Sequence, residues 1–224
     1  MKEVTLETLP LQRPFQVLKE TEQVAFLVFD GRKTVLAKVD IRGIGHGSIA
    51  ENVSEIRKTK QLREQIILEL ENKGSGEHLV PVTDFIIHGS REKTYSRFQE
   101  MIQGGKSLSS LSLLQIWKLP RQSLRDLRNI FEVYIHFLRL GIDIDILGNH
   151  YNKAPFSKKF LRRWIALLWS ENILIDQHGF PRFIDIGIWG LENHPGLKGN
   201  LWKNQQKLRG WFSVVLLNLL LLLK

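Results

Sequence analysis

No cysteine occurs among the 224 residues of the chain. That absence excludes disulfide staples and thiolate metal sites, and it fits a reducing compartment such as the cytoplasm. The seven histidines, at 46, 78, 88, 136, 150, 178 and 194, include no i, i+4 pair, so the helical zinc pattern is missing as well. No G-x-S-x-G element occurs, which removes the nucleophile elbow of serine hydrolases. The opening residues, MKEVTLETLPLQRP, hold no apolar core of signal-peptide length. Trp211 to Leu223 is almost wholly apolar, but its 13 residues fall short of the ~20 needed to cross a bilayer. Bracketed by Arg209 and Lys224, it reads as a buried core helix in preference to a membrane attachment. There is no internal repeat.

The remaining composition is ordinary for a globular protein: 43% hydrophobic and 25% charged residues. The length suits one domain, or one domain of two lobes, with a real core. A net charge of +9 and a pI near 9.8 favour an anionic partner: a nucleotide, nucleic acid, acidic protein or membrane surface. The cations cluster around Arg57–Arg63, Lys158–Arg163 and Lys198–Arg209, all helical in pattern, where solvated helix faces account for them. Most of the six tryptophans fall in the second half, where packing explains them better than base stacking.

Residues 15–41 alternate as strands do, with Asp30-Gly31-Arg32-Lys33 as a hairpin turn. Ser48-Ile-Ala-Glu51 is a capping box that starts a helix at about residue 49. Ile49, Val53, Ile56, Leu62, Ile66 and Leu70 continue its apolar stripe until Asn72-Lys73-Gly74 stops it. Residues 79–87 and 95–102 return to strand character. Beyond Gln103-Gly104-Gly105 the pattern turns helical: a short leucine-rich segment over 107–117, then a longer helix over 123–140 ending at Gly141. Residues 155–159 read as a loop and 160–169 as a helix.

Ser170 to Gly187 is the most informative stretch. Ile173–Ile175 and Phe183–Ile186 are β-rich, and Asp176-Gln-His-Gly179 supplies the turn between them. Closing that hairpin sets Asn172 and Asp185, thirteen residues apart, side by side at one mouth. An amide and a carboxylate are hard oxygen ligands of the kind magnesium takes when it carries a nucleotide's phosphates.

In this order the elements resemble the protein-kinase-like fold, over roughly residues 15–190. Val35-Leu36-Ala37-Lys38 is similar to the strand whose lysine holds the α- and β-phosphates of ATP, and Arg63 to Leu68 to the helix that offers it a glutamate. Phe98 to Leu108 is similar to the strand and hinge lining the adenine pocket, and Ser170 to Gly187 to the metal-binding hairpin. The resemblance implies an α+β, two-lobed fold: a small β-rich N-lobe with one long helix (1–102) and a reduced, mostly α C-lobe (103–224). It implies ATP and Mg2+ as cofactors and a protein or small-molecule hydroxyl as acceptor. The implied roles are Lys38 on the phosphates, Glu64 orienting Lys38, Glu100 and Ile102 beside the nucleotide, Asn172 and Asp185 on metal, and Asp145 as base.

Two features depart from that pattern. The span Leu18-Lys-Glu-Thr-Glu-Gln23, where a glycine-rich phosphate cover belongs, has no glycine, and its carboxylates repel phosphate. Asn172 lies 27 residues beyond Asp145, so residues 148–169 form an insertion between base and metal ligand. Either Asp145 or the nearby Asp143 stands near the expected position, and the insertion either folds out or replaces the base. A catalytically inactive pseudokinase, serving as a binding or regulatory module with a protein partner, is the alternative. Arg42-Gly-Ile-Gly-His-Gly-Ser48 offers a rival dinucleotide turn, but its third glycine comes one position early and no βαβ alternation follows. Nucleic-acid binding rests on charge alone.

Overall fold

A computed structural model describes residues 16–20, 23–30, 33–40, 49–76, 79–81, 83–87, 95–100, 102, 104–144, 146, 168–184 and 197–224. Helix and small sheet are mixed throughout, and the chain divides into two compact units, Met1–Leu62 with Pro81–Met101 and Arg63–Val80 with Ile102–Lys224.

In the first unit, β1 (Gln16–Glu20), β2 (Gln23–Asp30) and β3 (Lys33–Asp40) form an antiparallel meander. Asp30 pairs with Lys33, as the Asp-Gly turn requires. Two further strands, β4 (Thr83–Ile87) and β5 (Tyr95–Glu100), complete a sheet of order β1-β2-β3-β5-β4. β3 is therefore central, with β2 on one side and β5 on the other. Strand character was expected from residue 79, but Leu79 lies in a helical turn and the strand begins at Thr83, two residues past Pro81. The ring of Pro81 fixes φ and withholds an N–H, which delays the ladder.

α1 (Ile49–Asn72) starts and stops where its sequence signals put it. Gly74, at φ +76, donates to the Glu71 carbonyl at 2.8 Å, and Ser75 to that of Leu70 at 2.9 Å. These two bonds make a Schellman motif, which needs a residue tolerant of the left-handed conformation at Gly74.

The second unit is built on α3 (Arg121–Arg139), which follows the short α2 (Leu113–Trp117). The expected leucine-rich helical segment is in fact two turns, Leu108–Ser110 and α2; Ser112 caps the latter in a reciprocal box with Gln115. α3 buries its predicted stripe of Leu124, Leu127, Phe131, Tyr134 and Leu138. It ends in a second Schellman motif, with Gly141 donating to Leu138 and Ile142 to Phe137.

A buried polar cluster ties the end of α1 to α3. Ser75 Oγ donates to Asp126 Oδ1 at 2.9 Å, and Asn129 Nδ2 donates to Ser75 Oγ at 2.8 Å and to the Lys73 carbonyl at 3.0 Å. Lys73 adds an ion pair to Glu132 at 2.8 Å.

α4 (Leu197–Leu222) runs antiparallel to α3: its Lys203 approaches Gly141, its Gly210 sits against Tyr134 and Ile135, and Lys224 Nζ just beyond it donates to the Leu119 carbonyl. A Cβ at Gly210 would lie 2.8 Å from Ile135 Cγ1, so glycine is what lets the two helices approach. The apolar tail was expected to be wholly buried, and this is corrected. Leu217 and Leu221 are buried, whereas Trp211, Phe212, Leu219 and Leu222 are exposed. A helix that is apolar all round cannot bury every side chain against one neighbour.

Candidate active site

Three short strands in the second unit frame the site: β6 (Lys106–Ser107), β7 (Ile173–Ile175) and β8 (Pro181–Phe183), antiparallel in that order. The expected hairpin is present, and its second strand, Pro181–Phe183, begins two residues before the expected Phe183–Ile186, of which Asp185 and Ile186 lie outside the described residues. Register explains the shift. Asp176 pairs with Phe180 and Asn172 with Ile184 through backbone bonds of 2.9 and 2.8 Å, so Pro181, opposite Ile175, occupies a non-hydrogen-bonded position. Its missing N–H is not needed there, and pairing can begin at the proline itself.

The turn is shaped by its own side chains. Asp176 Oδ1 accepts from the His178 and Phe180 backbone N–H groups, both at 2.9 Å, and Gly179 takes φ +85. A Cβ on Gly179 would meet Pro120 Cδ at 3.0 Å, which fixes the hairpin tip against the start of α3.

Asn172 sits one residue before β7 and is 8% exposed. Ser170, fully buried, organises the approach to it. Its Oγ accepts from the Ile173 N–H at 2.9 Å and donates to the Ile146 carbonyl, while its own carbonyl accepts from Ser109 N at 2.9 Å. The bond to Ile146 joins positions 24 residues apart in the chain, so described residues on either side of 147–167 meet. Asp143 belongs to the same buried run, with Ile144 and Ile146, and is 5% exposed. Asp145, the expected base, and Asp185, the second expected metal ligand, lie outside the described residues, as does the expected helix over 160–167. Of that expected helix, Leu168 and Trp169 are described. Leu168 is a turn residue at φ 50, its N–H held by Ser213 Oγ of α4 at 3.0 Å.

The hinge abuts the same hairpin. Gly105 donates to the Ile102 carbonyl at 3.3 Å, closing a turn with Gly104 at φ +65. A Cβ at Gly104 would meet Gln177 Cβ at 3.0 Å, and one at Gly105 would meet Leu174 Cδ1 at 3.1 Å. Gly104 is thus favoured by both its φ and its closeness to the hairpin, whereas at Gly105 the Leu174 side chain would have to give way. Ile102 is half-buried, and Glu64 is exposed on α1. Both belong, with Asn172, to the second unit; Lys38 and Glu100 belong to the sheet of the first.

Lys38 lies in the central strand, with Ala25 of β2 and Arg97 of β5 as its register partners. Arg97 was missed by sequence reasoning, because cross-strand register is not written in either strand alone. Ser170 was missed too, although a serine three residues before an N–H it caps is a recognisable local signal.

No protein-family model matches the chain, and no curated protein matches it. Among solved structures it is similar to a spectinomycin phosphotransferase, APH(9)-Ia, in complex with ADP and spectinomycin, with 13% identity and a TM-score of 0.38 over 90% of this chain and 74% of that one. It is also similar to a choline/ethanolamine kinase family protein from Mesorhizobium loti, with 14% identity and a TM-score of 0.31 over 93% of this chain and 72% of that one. Both neighbours are phosphotransferases by name, and overlaps this loose carry no argument about what the present chain binds.

Proposed function

We propose that the chain is an ATP- and magnesium-dependent phosphotransferase of protein-kinase-like type, with a protein or small-molecule hydroxyl as acceptor. The observation that carries this reading is the Ser170–Ile146 bond. The 27-residue separation of Asp145 from Asn172 departs from the family pattern, and this bond supports the reading because Ile146 follows Asp145 in the chain and Ser170 stands two residues before Asn172.

In this reading residues 1–102 form the β-rich lobe and 103–224 the helical lobe of one domain. Lys38 binds the phosphates, with Arg97 beside it in register, and Glu64 orients Lys38. Glu100 and Ile102 line the nucleotide. Asn172 and Asp185 offer magnesium an amide and a carboxylate oxygen, the hard donors it takes alongside phosphate oxygens. Among the described residues no competing cluster of three His, Cys, Asp or Glu side chains occurs. Asp145 takes the acceptor hydroxyl's proton as its oxygen bonds to the γ-phosphorus and the bond to the ADP oxygen breaks. A cysteine-free chain suits the reducing cytoplasm, where ATP is abundant.

A specific observation favours the pseudokinase alternative. Glu20 pairs with Val24, so β1 and β2 are joined only by Thr21 and Glu22, with no glycine to bring backbone N–H groups to phosphate. Labelled-ATP transfer with magnesium separates the two readings. Phosphotransfer predicts incorporation that Asp185→Ala abolishes and Asn172→Ala lowers by at least about 100-fold. Negligible transfer by wild type, with a nucleotide-induced rise in Tm, establishes the binding module instead. If neither transfer nor a Tm shift is seen, both readings fail.

A further inference from the structure

We propose that the outward face of α4 is a docking surface for an anionic lipid bilayer, with the helix lying in the plane of the interface. This does not depend on the phosphotransfer reading.

The face of α4 turned to α3 buries Gln206, Arg209 and Ser213 beside Leu217 and Leu221, whereas the face turned away exposes Leu201, Leu208, Trp211, Phe212, Leu219 and Leu222. Leu201, Leu208 and Leu222 recur at multiples of seven, and Phe212 and Leu219 are seven apart. At 3.6 residues per turn these positions make one stripe along the whole helix. Exposures of 65% at Leu201, 55% at Leu208 and 82% at Leu222 show that the stripe is open at both ends and in the middle. Exposed Asn204, Gln205 and Asn218 interrupt the stripe, but so many exposed large apolar side chains on one face are costly in water and mark an interaction surface.

Charge selects the occupant. α4 has no Asp or Glu and carries Lys198, Lys203 and Lys207, of which the last two are half-buried; Arg209 belongs to the inner face. Across α2 and α3 the carboxylates are Asp126, which is buried, and Glu132, which is paired with Lys73. Arg121, Arg125 and Arg139 of α3 are exposed. A second copy of this surface would therefore be repelled, whereas an anionic, apolar phase answers both the stripe and its cations. Lysine stems reach past apolar surface to set their ammonium groups among headgroups. Among the described residues no helix is long and apolar enough to cross a membrane, so the fit is to a surface and not to a span. Nucleic acid would answer the charge and leave the stripe in water.

The full chain, without nucleotide, is to be sedimented with phosphatidylcholine vesicles containing or lacking phosphatidylglycerol, at low and high salt. Binding is expected only to the anionic vesicles and is expected to weaken with salt. Leu208→Asp with Leu219→Asp should lower the partition at least about tenfold. The milder Leu208→Ala with Leu219→Ala should lower it less, with an unchanged melting curve in both cases to establish that the variants fold. A blue shift of tryptophan emission on anionic vesicles that Trp211→Phe removes would locate the contact on α4. The proposal is overturned by equal binding of wild type and both variants, by absence of vesicle binding, by capture on polyglutamate without vesicle binding, or by a wild-type dimer that the variants dissociate.

Discussion

α3 and α4 lie against each other along their lengths, yet they divide apolar residues between inside and outside differently. α3 buries Leu124, Leu127, Phe131 and Leu138 and exposes Gln122, Arg125 and Arg139. α4 buries Gln206, Arg209 and Ser213 together with Leu217 and Leu221, and exposes Leu208, Trp211 and Leu219. A helix with one apolar stripe declares the face it packs, because only one orientation removes that stripe from water. A helix apolar all round leaves the choice to its neighbour. Here Gly210 made that choice, since it permits the close approach to Ile135 that any Cβ would block.

The contrast can be broken most forcefully on the α3 side. Leu127→Ala, at a fully buried position, should lower unfolding free energy by about 2–5 kcal/mol, measured by denaturant titration. A loss near zero would mean the shared core is not packed as described. On the α4 side the informative change is polar: Ser213→Ala removes the acceptor for the buried Leu168 N–H and should destabilise by about 1–3 kcal/mol. An unaffected protein would show that the inner face of α4 is not what holds the chain leading to Asn172. The smallest effect belongs to the outer stripe. Leu219→Gln should change stability by no more than about 0.5 kcal/mol. A larger loss in the isolated protein would mean that another part of the chain covers that face, and would remove the contrast between the helices.

Local chemistry made several elements legible in advance. Gly74 and Gly141 ended their helices because each is followed by an N–H able to reach back to the last free carbonyls, a pattern confined to a few consecutive residues. Asp30 and Lys33 closed the β2–β3 turn for the same local reason. The start of β8 was read two residues late, because β-propensity in Phe183-Ile-Asp-Ile186 outweighed the pairing frame set from the turn. Within the candidate site, the position of Asn172 at the hairpin mouth was legible. The bond that brings Ile146 to Ser170 was not, since nothing in either segment names the other.

By itself the sequence determined the order of strands and helices, where most of them stop, the excess of positive charge and the absence of thiol chemistry. These depend on neighbours within a turn or on composition, both of which are complete in the linear chain. Tertiary structure alone decided that Arg97 stands opposite Lys38 in register, that Ile146 meets Ser170 two residues before Asn172, and which side of α4 faces outward. Each of those depends on register or packing between segments distant in sequence, where the free energy of one partner is undefined until the other is in place.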